Sequence, residues 1–169
     1  MARLFFAVWP DASAAASLAT LSGEVVQVCG GRPVPSGKMH LTLAFLGEVE
    51  AGRMAAAADC ARLPARRFRL DFDRIGSFRR ARVAWAGSSS PARELLELQK
   101  QLAERLSACG FELEDREYTP HVTLARRIQK ALPAAAIAAI AWRADALTLV
   151  RSEAGTGRYT VVERWELGD

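Results

Sequence analysis

The sequence has very little histidine, with 2 residues among 169, and no apolar run approaches membrane-spanning length. Because a transmembrane helix needs about 20 mainly apolar residues, a membrane protein is not expected. Its 3 cysteines, Cys29, Cys60 and Cys109, are an odd number without metal-ligand spacing. We interpret them as reduced core thiols, which argues against both a disulfide scaffold and a zinc site.

The N-terminal stretch "MARLFFAVWPDASAAA" has one basic residue and a short apolar run that Asp11 interrupts. A strand followed by a helix start explains this pattern better than a signal peptide does. The thiols and this N-terminus together predict a cytoplasmic protein.

The charge balance is 23 Lys+Arg against 19 Asp+Glu, a net charge of +4. Arginine dominates the positive set and clusters at 66–69, 74–82 and 126–127. Since the planar guanidinium suits phosphate oxygens, these clusters indicate an anionic partner. The alternative is a general compositional preference for arginine and alanine, which would give similar clusters without function.

Alternation and turn signals predict the order strand–helix–strand–helix–strand, twice, with one extra strand. The predicted strands are 3–9, 39–47, 66–78, 81–87, 118–126, 142–153 and 158–167, the last following a turn at 154–157. The predicted helices are 10–31, 50–62, 90–110 and 131–140. The clearest helix carries one apolar stripe, formed by Leu95, Leu98, Leu102 and Leu106.

The two halves of the chain resemble each other. Three pairs of landmarks recur at similar offsets: Cys29 and Cys109 at 80 residues, His40 and His121 at 81, and Trp9 and Trp85 at 76. The sequence therefore predicts one domain over 1–169, built from two pseudo-symmetric lobes with sequence halves of about 1–78 and 79–169. Each lobe is expected to be a β-α-β-α-β unit.

Both histidines open the same short motif, "HLTL" at His40 and "HVTL" at His121. With only 7 threonines in the chain, finding one two residues after each histidine is not expected by chance. Residues i and i+2 of a strand share a face, so His40 would project with Thr42, and His121 with Thr123. The opposite, apolar side is predicted to hold Leu41, Leu43 and Phe45.

Two imidazoles and two hydroxyls suit a reaction with a general acid and a general base on opposite sides of one centre. Hydroxyl donors and a nearby arginine would bind a non-bridging oxyanion, so phosphodiester cleavage fits these parts. A metal site remains open, although no His-x-x-x-His or Glu-x-x-His accompanies the motifs. A serine hydrolase lacks its Gly-x-Ser-x-Gly elbow, and an RNA-binding module would need no titrating pair.

Five segments carry a resemblance to a known family: "RLFFAVWP", "HLTLAFLG", "GSFRRARVAW", "PHVTLAR" and "LTLVRSE". They resemble the bacterial and archaeal RNA 2′,3′-cyclic phosphodiesterases, also called 2′-5′ RNA ligases, of the two-histidine phosphoesterase superfamily. The resemblance extends from about residue 3 to 166. It implies an α+β fold that is bilobal and duplicated, with antiparallel sheets flanking a central cleft and helices outside.

The resemblance also implies an enzyme that opens a terminal 2′,3′-cyclic phosphate on RNA to leave a 2′-phosphate, with no metal and no cofactor. Some family members make or break a 2′-5′ linkage in tRNA fragments. The implied partner is RNA with cyclic phosphate ends, bound by a monomer away from membranes. Action on a small nucleotide cyclic phosphate is the alternative within the family.

Residue by residue, His40 resembles the proton donor of the family and His121 its proton acceptor. Thr42 and Thr123 would hydrogen-bond the phosphate oxygens, and the basic residue after the second motif matches Arg126. Strict strand alternation would instead aim the next residue, Arg127, at the histidine face. Aromatic residues near the motifs are candidates either for base stacking or for the core, namely Phe45 and Phe78.

Overall fold

The structure is a computed structural model that describes all 169 residues. The strands are β1 (Ala2–Val8), β2 (Arg32–Pro33), β3 (Leu41–Val49), β4 (Phe68–Phe78), β5 (Val83–Gly87), β6 (His121–Arg126), β7 (Ala135–Ala144), β8 (Ala146–Ser152) and β9 (Tyr159–Glu166). The helices are α1 (Ala12–Cys29), α2 (Met54–Cys60) and α3 (Arg93–Ala108).

All the strands join one antiparallel sheet in the order β7-β4-β5-β6-β3-β1-β8-β9, with β2 beside β6. The sheet is narrowest at its centre, where β3 and β6 share a single residue pair, Leu41 with Val122. It therefore consists of two halves, β7-β4-β5-β6 with the short β2 and β3-β1-β8-β9, which are joined at the strands that carry the histidine motifs. The predicted α+β fold with two antiparallel lobes is confirmed.

The halves of the sheet differ from the halves of the sequence. β4 belongs to the first sequence half, but it pairs with β5 and β7. β8 and β9 come last in the chain, but β8 pairs with β1. The chain thus exchanges strands between its two lobes, and the lobes are not separable by a cut near residue 78.

The short helix predicted at 131–140 is wrong, because this segment enters β7. Alanine has the highest intrinsic helix propensity, but propensity is only a weak guide to structure, and tertiary pairing overrides it here. Here β7 pairs with β4 from Ala135 opposite Ile75 to Ala144 opposite Phe68. The second unit therefore lacks its second helix, and the strand predicted at 142–153 is divided between β7 and β8.

The helices cover the face of the sheet away from the histidines. Asp11 caps the N-terminus of α1, and its side chain accepts a hydrogen bond of 2.8 Å from the Ala14 amide. α1 packs against β6 and α3 packs against β3. The predicted leucine stripe of α3 is buried as expected, from Leu95 to Leu106. The two long helices thus hold the two motif strands from behind.

All three cysteines are free thiols, but only two of them lie in the core. Cys29 and Cys60 are buried, whereas Cys109 is exposed, so the prediction of a core thiol at Cys109 is wrong. Cys109 caps the C-terminus of α3, beyond the last buried leucine of its stripe. None of the three helices is both long and apolar enough to pass through a bilayer.

Candidate active site

The narrow centre of the sheet brings the two histidine motifs together. His40 immediately precedes β3 and His121 is the first residue of β6. Leu41 and Val122 form an antiparallel pair, so His40 and Thr42 flank Leu41 across from Thr123 and His121, which flank Val122. Because opposite residues of an antiparallel pair project to the same face, all four motif side chains share one side of the sheet.

Each imidazole is fixed by a hydrogen bond from Nδ1 to a backbone carbonyl two residues earlier. The distance is 2.7 Å from His40 Nδ1 to the Lys38 oxygen and 2.8 Å from His121 Nδ1 to the Thr119 oxygen. A carbonyl can only accept, so each Nδ1 carries the hydrogen and donates it. Nε2 is then the nitrogen that can take up or release a proton in both residues.

His40 lies in an aromatic box. Its ring stacks on Phe5 and Trp9, with centroid distances of 4.8 and 5.0 Å, and meets Tyr159 edge-on at 5.7 Å. Burial lowers the pKa of His40 to about 4, aided by the positive charges of Arg126 and His121 and opposed by the Lys38 carbonyl. The neutral imidazole is therefore the favoured form in the free protein.

His121 has one aromatic neighbour, compared with three for His40. Phe78 meets its ring edge-on at 5.0 Å and itself packs against Trp85 at 5.7 Å. Burial lowers the pKa of His121, and the charges of Arg116 and Arg126 act in the same direction, against the Thr119 carbonyl. Both imidazoles thus favour the neutral form before an anion binds.

A β-bulge follows each motif at the same place and changes which residues face the histidines. Between β1 and β3, Ala7 is opposite Thr42 but Phe6 is opposite Ala44, so Leu43 is the extra residue. Alternation is reversed beyond the bulge, and Phe5 is opposite Phe45. Phe45 is accordingly on the face of Thr42 and 38% exposed. Its predicted place on the apolar side is wrong.

The second bulge settles which arginine faces the histidines. Trp85 is opposite Thr123, whereas Ala84 is opposite Ala125 and Val83 is opposite Arg126. Since Val83 and Trp85 share a face of β5, Thr123 and Arg126 share the corresponding face of β6. Arg126 therefore lies on the histidine side, where its charge lowers the pKa of both imidazoles.

Arg127 is directed elsewhere by its backbone. It is exposed and has a φ of 56°, and its carbonyl accepts a hydrogen bond from the Arg82 guanidinium at 3.3 Å. The alternation rule that would aim Arg127 at the site thus fails because of the bulge at Leu124. Phe45 and Arg126 occupy equivalent positions, five residues after each histidine.

Several supporting residues were missed in the sequence. Phe5 and Trp9 could have been found, because Phe5, Ala7 and Trp9 alternate on one face of the first strand. Tyr159 could not, because it reaches His40 only through pairing of distant strands. Lys38 is a further support, since its Nζ donates to the Gly157 carbonyl at 2.7 Å while its own carbonyl orients His40.

No group of three or more His, Cys, Asp or Glu side chains that could hold a metal ion is found. The site is instead composed of two imidazoles, two hydroxyls and one guanidinium on a shared face. Such an arrangement offers two points of proton exchange and several donors for an anion.

The chain is 34% identical to the RNA 2′,3′-cyclic phosphodiesterase of Escherichia coli, over 98% of this chain and 96% of the relative. It is 31% identical to the protein of the same name from Thermus thermophilus, over 98% and 90%. The crystal structure of E. coli LigT complexed with 3′-AMP superposes with a TM-score of 0.90 at 32% identity, covering 99% of each chain.

The family description that matches residues 9–156 is the 2′-5′ RNA ligase superfamily. That range contains both histidine motifs and both bulges. The resemblance found in the sequence is thereby confirmed, and the chain belongs to the 2′-5′ RNA ligase superfamily.

Proposed function

We propose that this protein hydrolyses the terminal 2′,3′-cyclic phosphate of RNA to a 2′-phosphate, with His40 and His121 as general acid and base. The observation that carries the proposal is the arrangement of the two imidazoles. Each is locked by an Nδ1 hydrogen bond, at 2.7 and 2.8 Å, so that Nε2 is free for proton exchange. Thr42, Thr123 and Arg126 share their face of the sheet.

The proposed reaction has one proton entering and one leaving. Neutral His121 takes a proton from the attacking water at Nε2 while the oxygen attacks phosphorus. The bond between phosphorus and the ribose 3′-oxygen breaks, and protonated His40 gives its Nε2 proton to that oxygen. Each backbone carbonyl keeps its Nδ1 hydrogen bond throughout, which stabilises the imidazolium when it forms.

The phosphate would be held by neutral and charged donors. The hydroxyls of Thr42 and Thr123 donate to the non-bridging oxygens, and the guanidinium of Arg126 supplies the positive charge. Binding of this anion raises the pKa of both imidazoles, opposing the effect of burial. Substrate binding therefore supplies the conditions under which His40 can carry the proton that it must donate.

The relatives support this choice of substrate. Those from E. coli and T. thermophilus are named RNA 2′,3′-cyclic phosphodiesterases, and the LigT structure holds a nucleoside monophosphate, 3′-AMP. The superfamily name also favours a second activity, the joining of RNA ends by a 2′-5′ linkage. In that reaction a 5′-hydroxyl would replace water as the nucleophile activated by His121.

The test uses an oligonucleotide that ends in a 2′,3′-cyclic phosphate, incubated with the protein in excess EDTA. We expect hydrolysis at an undiminished rate, since the proposed acid and base need no metal. The product should resist a 3′-specific phosphomonoesterase, because the phosphate stays on the 2′-oxygen. Rates restored only by a divalent ion would contradict the mechanism, and a 3′-phosphate product would reverse the assigned leaving group.

Removal of the motif hydroxyls should weaken phosphate binding without disturbing the fold. Thr42→Val and Thr123→Val keep the β-branched shape but each loses a donor worth about 1–3 kcal/mol toward a charged oxygen. Steady-state kinetics should therefore show kcat/KM reduced by about 5- to 150-fold. Thr160→Val, at an exposed position of β9, is the matched control. Wild-type kinetics in both motif variants would mean that the threonines serve only the strands.

A further inference from the structure

Basic residues are concentrated at the C-terminal end of β6, where segments 30–33, 79–82 and 126–130 meet. These 13 residues include no Asp or Glu. All seven basic residues of the three segments are exposed: Arg32, Arg79, Arg80, Arg82, Arg126, Arg127 and Lys130. We call this surface the basic patch.

None of the seven has a carboxylate partner. Of the other 16 Lys and Arg residues in the chain, 10 take part in ion pairs. The unpaired charge of the patch is therefore not a general property of this arginine-rich surface. Like charges held together without a counter-ion repel one another, and an anionic ligand would relieve that repulsion.

The patch is held in place by its own backbone. Arg82 Nε donates to the Ile128 carbonyl at 3.0 Å, and the Ile128 amide donates back to the Arg82 carbonyl at 3.1 Å. The Gln129 and Lys130 amides both donate to the Cys29 carbonyl. Arg82 and Arg127 are also the two non-glycine residues with positive φ. Such strain persists only where the surroundings impose it, often at functional sites.

The basic patch is continuous with the proposed active site. Arg126 belongs to both, lying between Arg32 and Val83 in the sheet and facing the histidines. It is the fifth residue after His121 along β6, roughly 15 Å away at the rise of a strand. A chain that enters from the patch therefore reaches the histidines within a few nucleotides.

From this arrangement we propose that the basic patch binds the backbone phosphates of the RNA strand next to its cyclic end. The inference rests on the proposed function and adds that the substrate is a polymer rather than a small cyclic nucleotide. The cyclic phosphate closes the 3′ end of the strand, so the rest of the RNA must leave the site from the 5′ side of the last nucleotide. Arg79, Arg80 and Arg127 would contact those phosphates. Arg82 would keep its hydrogen bonds to the Ile128 and Arg127 carbonyls.

RNA is favoured over an acidic protein by the position of the patch. A phosphodiester chain already projects from any cyclic-phosphate end bound at the histidines, and arginine forks match its oxygens. Contacts to backbone phosphates are independent of base sequence. The patch should thus make binding depend on strand length and salt but not on the bases.

The experiment compares two double variants with the same change in charge. Arg79→Gln/Arg80→Gln alters the patch, while Arg93→Gln/Lys100→Gln alters exposed residues of α3 on the other face of the sheet. Substrates are adenosine 2′,3′-cyclic phosphate and oligoadenylates of two, four and eight nucleotides with the same end. KM and kcat are measured at several salt concentrations, and RNA binding is followed by fluorescence anisotropy.

For the wild-type protein and the α3 variant, KM should fall as the strand lengthens. The patch variant should raise KM for the eight-nucleotide substrate about tenfold, with unchanged kcat. For the patch variant, the slope of log KM against log salt concentration should become shallower by about one to two. Turnover of the cyclic mononucleotide should be the same in all three proteins.

Equal KM for all strand lengths, or equal effects of the two double variants, would overturn the inference while leaving the proposed function intact. Length-dependent RNA binding without hydrolysis of any substrate would do the reverse, supporting the patch and refuting the phosphodiesterase. An acidic protein as the true partner would leave the RNA kinetics of the patch variant unchanged and so count against the inference.

Discussion

Replacement of His121 with alanine is expected to lower kcat/KM on a cyclic-phosphate-ended RNA by about a thousandfold, because a positioned acid or base contributes roughly 10²–10⁴-fold. Water would then have to attack without a base. His121→Asn is a sharper variant, because its amide can still donate to the Thr119 carbonyl but has no counterpart of Nε2. It should be as inactive as the alanine variant and unfold at the wild-type temperature.

His40→Ala should lower kcat/KM on RNA about as much as His121→Ala does. On a substrate whose leaving group needs no proton, it should lower kcat/KM much less. Bis(p-nitrophenyl) phosphate provides one, because nitrophenolate is stable as an anion at neutral pH. The ratio of the two activities should therefore rise strongly in His40→Ala and not in His121→Ala. Near-wild-type rates in either variant would leave that histidine as a structural or phosphate-binding residue.

The sequence predicted which motif side chains share a face of the sheet, because the motif geometry is local. A strand projects residues i and i+2 to one face whatever its partners, so His40 with Thr42 and His121 with Thr123 followed from alternation alone. The pairing of β3 with β6 also agrees with the duplication. What joins the two motifs, however, is one residue pair, Leu41 with Val122.

Alternation failed where the sheet is irregular. Leu43 and Leu124 each form a bulge, and the residues directly beyond each bulge change face. This is why Phe45 is on the histidine side and why Arg126, rather than Arg127, faces the histidines. The repeated Leu-Ala after each His-x-Thr is the only local sign of the two bulges, and it gives no direction by itself.

Long-range pairing explains the wrong helix at 131–140 and the missed contact of Tyr159. The alanine-rich segment before Trp142 becomes β7 because β4 offers it a partner, which composition could not reveal. Likewise, Tyr159 reaches His40 only after β9 pairs with β8 and β8 with β1. The aromatic box that lowers the pKa of His40 is thus a product of topology and not of the motif.

The two histidines should also give the reaction an unusual dependence on pH. The proposed mechanism requires one imidazole to be protonated and the other neutral, and the profile of kcat/KM reports this state in the free protein. The pKa of His40 is lowered to about 4, mainly by burial and then by the positive charge of Arg126. The pKa of His121 is lowered by the same two causes and by Arg116.

Because both pKa values lie below the ordinary value of about 6.5, the optimum of kcat/KM should lie on the acid side of it. Above the optimum the protonated fraction of the acid falls tenfold per pH unit, so kcat/KM should drop by about 100-fold from pH 6.5 to 8.5. The profile of kcat should be displaced to higher pH, since the bound phosphate anion raises both pKa values. Initial rates over pH 4.5–9 measure both profiles.

Charge variants then show which histidine produces each limb of the pH profile of kcat/KM. Arg126→Gln should move both limbs of kcat/KM to higher pH, because its charge lowers the pKa of both imidazoles. Arg116→Gln should act chiefly on the limb that reflects His121, since Arg116 lowers the pKa of that residue and not of His40.

His121→Ala should abolish the acidic limb of the profile, and His40→Ala should abolish the alkaline limb. Arg93→Gln, on α3, should leave the profile unchanged, and a flat profile in the wild-type protein would refute catalysis by a histidine pair.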